Sequence, residues 1–156
     1  MTSSMIKKPS LMIRNATLKD VDNISNLVET VYPTMPPLAK DSIKSLIQHF
    51  PKGQFVAEFD GGIVGYCACI MVSSEQALTP HNWDDITAKG YGTTHNPKGE
   101  YLYGIETCVD PAYWDLHIGH RIYNERKELC IELHLKGIVT GGRLGELAKE
   151  SGQKHV

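Results

Sequence analysis

Apolar positions along this chain switch between a period of two and a period of 3.6, and the switches divide it into elements. A short apolar run over 11–14 predicts a first strand. Thr17 with Asp20 three residues on has the form of a capping box. Val21, Ile24, Leu27, Val28 and Val31 then share one helical stripe that ends at Tyr32-Pro33. Past the rigid Met35-Pro36-Pro37 loop, Ile43, Leu46, Ile47 and Phe50 mark a second short helix, stopped by Pro51. Residues 54–59 and 63–72 read as strands joined by Asp60-Gly61-Gly62, a hairpin signal. Gly65, inside the second of them, predicts a bulge or a close backbone approach.

The segment 101–143 carries the clearest alternation. A strand ends at Cys108 and Val109, where Asp110-Pro111 stops the ladder. Helical spacing follows: Ile118, Ile122, Leu129 and Leu133 form one stripe with Tyr123 and Cys130 beside it, and Arg121, Glu125, Lys127, Glu128 and Glu132 lie on the wet side. A second strand occupies 137–140. Strand, helix and strand make a βαβ unit with parallel strands. The whole chain is then an α/β (mixed α+β) fold in the order β-α-α-β-β-β-α-β. Between the third and fourth strands, 73–100 loses both periods and is long for a loop inside a compact domain, so it is expected to be functional or partly helical. Thr79 as cap and Pro80 at the first helical position predict a turn of helix through Ile86. The turn Gly141-Gly142-Arg143 and two turns of helix through Leu144, Leu147 and Ala148 are expected to close the chain.

Composition narrows the class. At 156 residues and 41% hydrophobic content the chain can bury one core, expected over 11–150 with a disordered lead-in at 1–10 and a frayed tail at 151–156. A net charge of −2 with no basic stripe argues against a nucleic-acid partner. No apolar run approaches the ~20 residues that span a bilayer, and the opening MTSSMIKKPS has no apolar run after its lysines, unlike a signal peptide. Cys67, Cys69, Cys108 and Cys130 sit in apolar patterns without C-x-x-C spacing, as expected of reduced thiols in a cytoplasmic protein. Cys67 and Cys69 point to one face of a strand, and His117 and His120 share a helix face, but neither pair has the further ligands a metal needs, so no metal is expected. Gly119 opens the long helix. Unpaired N–H groups and the positive end of the dipole make that place a ready phosphate site.

VDPAYWDLHIGHRIY resembles the coenzyme-binding motif of the GCN5-related N-acetyltransferases (GNAT), in which a strand ending V-D-P-x-Y leads into an R-G-x-G-x-G/A loop and a helix. Val109, Asp110, Pro111, Tyr113, Ile118, Gly119, Arg121 and Tyr123 match. Trp114, Asp115 and His117 depart, the last two standing where glycines are usual. The wider run 13–143 is similar to the acetyltransferase-like domain that some bacterial proteins carry in front of a carbon–nitrogen hydrolase domain; nothing of that hydrolase is expected in these 156 residues.

The resemblance implies a mixed central sheet flanked by helices, with the family's C-terminal strands missing and an exposed edge that favours a homodimer. It implies acetyl-CoA as co-substrate and a small-molecule or peptide amine as acceptor. The backbone of Thr107, Cys108 and Val109 would bind the pantetheine arm. Trp114, Leu116, His117, Ile118, Gly119, His120 and Arg121 would hold the phosphates. Glu106 is the candidate base and Tyr123 or Tyr103 the donor to the leaving sulfur, since acyl transfer to an amine needs both. Tyr32, His81 and Trp83 are candidate substrate contacts, with Met35 and His95 near them in the same loops. The alternative is a non-catalytic binding or regulatory module that keeps the fold and has weakened coenzyme binding.

Overall fold

In the computed structural model, described over residues 10–140, five strands form one sheet in chain order: β1 (Leu11–Asn15), β2 (Gln54–Phe59), β3 (Gly62–Val72), β4 (Tyr101–Val109) and β5 (Gly137–Thr140). β1 through β4 are antiparallel, and β5 runs parallel to β4 with Tyr101 opposite Gly137 and Gly104 opposite Thr140. Helices α1 (Val21–Val31) and α2 (Lys40–His49), with the short α3 (Ser74–Leu78) and α4 (Trp83–Thr87), pack on one face. The helix α5 (Ile118–Glu132) covers the other. This is the mixed α/β order expected, with α3 and α4 added. The expectations for 1–9 and 141–156, and any splay of β4 from β5 beyond Gly104 and Thr140, lie outside the described residues.

The start of α1 shows how sequence becomes packing. The Asp20 carboxylate accepts the Thr17 N–H at 2.8 Å, its hydroxyl at 3.2 Å, and both arms of Arg14 at 2.9 Å. Hydrogen bonding from Arg14, more than the burial that opposes it, holds that carboxyl below its usual range. Arg14 Nε also donates to Glu58 at 2.9 Å, so one guanidinium ties β1 to β2 and to the helix above.

The segment 73–100 corrects one expectation. Thr79 ends α3, and Pro80 lies between the two short helices. The caps belong to Ser73, which accepts from Gln76 N–H, and Asn82, which accepts from Asp85 N–H. Ser73 and Asn82 win because each has an acceptor side chain three residues before a free N–H and an extended backbone, which is what a cap requires. His95 is structural: its Nδ1 accepts the Met71 N–H at 3.0 Å and its ring stacks on Phe50 at 4.3 Å. Burial lowers its pKa, consistent with a neutral acceptor ring.

Two bulges set which side chains meet. In β3 the register passes from Ala57 opposite Gly65 to Glu58 opposite Ile63, so Val64 is the extra residue. In β4 it passes from Ala68 opposite Glu106 to Cys69 opposite Gly104, so Ile105 is the extra one. A bulge resets the alternation of side chains. Tyr103, Ile105 and Cys108 therefore face α1 and α2, whereas Leu102 faces α5. Glu106, opposite Ala68, joins the α1 side.

Candidate active site

Because of the β4 bulge, Glu106 is fully buried on the α1 face rather than on the partly solvated sheet face that a lone strand carboxylate suggests. The Tyr32 hydroxyl, one residue past the end of α1, donates to Glu106 Oε2 at 2.6 Å. The other candidate substrate contacts gather on the same strand. His81 lies 3.0 Å from the Tyr103 hydroxyl through Nε2, and its Nδ1 is 2.8 Å from the Thr79 carbonyl. A carbonyl can only accept, so Nδ1 carries a proton, and Nε2 lies within hydrogen-bond distance of the Tyr103 hydroxyl. Trp83 Nε1 donates to the Ile105 carbonyl at 3.0 Å, the residue at the bulge itself. Tyr32, from the end of α1, and His81 and Trp83, from the 73–100 segment, are thus three anchors that dock two parts of the chain on β4 around Glu106. A cleft of about 190 Å³ lined by Gln76, Thr79, His81, Asp85 and Ile86 opens beside them. Met35, at 78% exposure, makes no such contact.

At the far end of β4 the chain turns through a short 3-10 segment, Pro111–Leu116, capped by Asp110 accepting from Ala112 N–H. His117 then adopts φ 56° and ψ 36°, and α5 begins at Ile118. The αL conformation explains why glycine is usual here in the motif: a Cβ there costs about 1–2 kcal/mol. The first turn of α5 contains no acidic residue, and its N-cap side chain makes no capping hydrogen bond. A Cβ at Gly119 would meet nothing within 4 Å, so that side of the first turn is uncrowded. His117, Gly119, His120 and Arg121 are exposed around it, with Asp115 the one opposing charge in the loop. Trp114 is 67% exposed, its Nε1 3.3 Å from the Val109 carbonyl. Between this helix start and Gly104, the Glu106–Val109 stretch of β4 has no second strand beside it among the described residues.

Tyr123 is 45% exposed, not in the core as its place beside the stripe suggests. It borders a groove of about 320 Å³ with Lys127, Ile131, Leu135 and Ile138 on the α5 side of the sheet. Glu106 is buried on the opposite side, so a base at Glu106 and a donor at Tyr123 would have to act across the seam between β4 and β5. The residue that sequence reading passed over is Arg126, only 8% exposed. The signal was present: Ile118, Ile122, Arg126 and Cys130 form one i, i+4 row with a charge in its middle. Cys67 and Cys69 lie beneath it with sulfurs 3.7 Å apart, and all four cysteines are free.

His117→Gly is expected to raise the melting temperature by about 2–4 °C, the effect of roughly 1 kcal/mol in a chain of this size. It removes the left-handed penalty, partly offset by the greater freedom of an unfolded glycine. Thermal denaturation measures it, and a fall would show that the imidazole contributes more than its backbone costs.

The chain belongs to the acetyltransferase (GNAT) family, whose model matches residues 21–143. Among curated relatives it is 44% identical over 134 residues to "Probable hydrolase YhcX" of Bacillus subtilis (strain 168), covering 86% of this chain and 26% of that protein. It is 32% identical over 144 residues to "Uncharacterized N-acetyltransferase YkwB" of the same organism, covering 88% of this chain and 63% of that one. The chain therefore spans about a quarter of the first and under two thirds of the second. The loading GNATL domain of CurA from Lyngbya majuscula superposes with a TM-score of 0.67 at 17% identity, over 78% of this chain and 58% of that chain, a likeness of fold. No helix of the described residues is long and apolar enough to cross a membrane.

Proposed function

We propose that this chain is an acetyl-CoA-dependent N-acetyltransferase acting on a small-molecule or peptide amine. The observation that carries the reading is the start of α5, with no acidic residue in its first turn, at the end of the Glu106–Val109 stretch of β4, which has no second strand beside it among the described residues and carries buried Glu106. The residues fit the co-substrate. N–H groups of Ile118, Gly119 and His120, with Arg121, meet the pyrophosphate at the positive end of the helix dipole. Trp114 offers an apolar wall beside them. The Thr107, Cys108 and Val109 backbone pairs with the amides of the pantetheine arm as an added strand does. Glu106, kept in place by Tyr32, takes the acceptor's proton through a water, and the cleft at His81 and Asp85 admits the amine from the α1 side.

The second reading, a regulatory module without turnover, is favoured by His117 and Asp115, which crowd and repel a phosphate where the motif has glycines. Calorimetric titration with acetyl-CoA and with coenzyme A separates the two. Binding in the micromolar range is expected; no heat at millimolar ligand would leave the module reading in its place.

A further inference from the structure

Arg126 is a charged side chain that the reading above does not use. Its guanidinium is buried between α5 and the sheet, and Nε and Nη1 have no hydrogen-bond partner. Nη1 lies 3.0 Å from where a Cβ on Gly104 would stand, and the Val139 carbonyl is 3.7 Å from that same point. The charge therefore sits over the seam between β4 and β5, at the last residue of β4 that pairs with β5 among the described residues. A bare glycine there is what makes room for it.

The position matches one end of the proposed coenzyme site. Arg126 is eight residues along α5 from Ile118, roughly 12 Å from the phosphate-binding turn. A pantetheine arm, with two amides and a thiol end, is comparable to about four extended residues and reaches roughly 13 Å. An arm laid along the β4 edge from that turn brings its sulfur to the level of Arg126. Two thiols already lie beside the guanidinium, and Cys69 is raised by its hydrogen bond with Cys67 and by burial despite that charge. Cys67 is drawn below its ordinary thiol range, first by a hydrogen bond with Cys69 and then, against burial, by the Arg126 charge and a hydrogen bond with Thr107.

Resting on the proposed transferase reading, we infer that Arg126 is the residue that holds the negative charge of the coenzyme sulfur as the acyl group leaves. The amine nitrogen bonds to the acyl carbon, and its proton passes to Glu106. The carbon–sulfur bond breaks with its electron pair on sulfur, beside Arg126, and the thiolate takes a proton from solvent on release. A fixed cation at the leaving atom does the work that a tyrosine hydroxyl would do by protonation. Other ionisable groups face Arg126: Cys67 and Cys69 from β3, and Tyr123 and Cys130 from α5, with Lys127 over the Tyr123 ring. Glu106 acts from the other side of β4 through its field on Cys67.

The test compares coenzyme A with desulfo-coenzyme A, which keeps the phosphates and amides and lacks the thiol. For the unaltered protein, coenzyme A should gain affinity over the desulfo compound by about threefold between pH 6 and 8, on the way to the roughly tenfold that one unit of depression from a free thiol pKa of about 8.5 gives at higher pH. The ultraviolet thiolate absorbance of bound coenzyme A should rise over the same range. Histidine titration near the phosphates affects both ligands and cancels. Arg126→Gln should bind the desulfo compound as before and lose the pH-dependent advantage, and Arg126→Lys should keep part of it. If the unaltered protein binds both ligands without that difference, or if Arg126→Gln keeps it, the inference fails and the transferase reading stands. Should the unaltered protein bind neither ligand, the coenzyme site itself fails and the inference with it.

Discussion

Replacing Glu106 by Gln should lower amine acetylation by about 10²–10⁴-fold, the range a positioned general base supplies, while affinity for acetyl-CoA stays within about threefold, roughly 0.65 kcal/mol. Gln has nearly the same shape, and its carbonyl oxygen can still accept from the Tyr32 hydroxyl that now donates at 2.6 Å. The fold is therefore perturbed little, and the lost property is the ability to take a proton. Tyr32→Phe separates positioning from acid–base work. It removes the donor, costs about 1 kcal/mol of stability for one hydrogen bond, and should lower turnover far less than the loss of the carboxylate. Stopped-time acetylation assays and thermal melts give both numbers. Full turnover in Glu106→Gln would make the carboxyl a structural partner of Tyr32 and nothing more.

Why Glu106 can hold that role was not legible from spacing. Along an ideal strand a residue and its next neighbour face opposite ways, so Tyr103 and Glu106 would be on different faces. Only the unpaired Ile105 brings them to one face, and a bulge at an isoleucine leaves no mark in composition. Gly65 did leave a mark, because a glycine in an apolar strand has few other reasons to be there. The hairpin was likewise readable: Asp60 at φ 53° and Gly61 at φ 86° are the two positive angles that an Asp-Gly turn provides. The helix stripes of α1 and α5 were legible because packing a helix on a sheet requires them. Arg126 breaks the stripe of α5 and was passed over. The caps of α3 and α4 were misplaced because Thr79-Pro80 is as good a local signal as Ser73 or Asn82, and only the tertiary path of 73–100 over β4 decides between them. His117 was readable in the other direction: the motif marks the position as glycine's, and φ 56° supplies the reason.

Gly65→Val should cost about 2–3 kcal/mol, the upper range for overpacking a core, and should weaken coenzyme A binding at the same time. A Cβ on Gly65 would stand 2.8 Å from Ile118 Cγ2 and 3.0 Å from Ala57 Cβ, with Ile122 Cδ1 at 3.5 Å. Ile118 is the first residue of α5, so the clash bears on the turn whose N–H groups are proposed to meet the phosphates. Relief requires α5 to lift from β3 at that end, and a helix dipole loses its hold on an anion once the first turn moves away. Stability and binding are therefore coupled through one contact, which a double substitution exposes. Gly65→Ala alone should be destabilising, and Ile118→Ala alone by about 2–5 kcal/mol because it deletes a buried side chain; since it also deletes the Cγ2 that the new Cβ meets, the pair should cost less than the sum by about 0.5 kcal/mol or more, the coupling expected of residues in contact. Coenzyme A affinity should fall less in the pair than the two single effects together imply. Additive effects on stability, or Gly65→Val binding coenzyme A as tightly as the parent, would mean that the seat of α5 on the bulge at Val64 does not set the phosphate site.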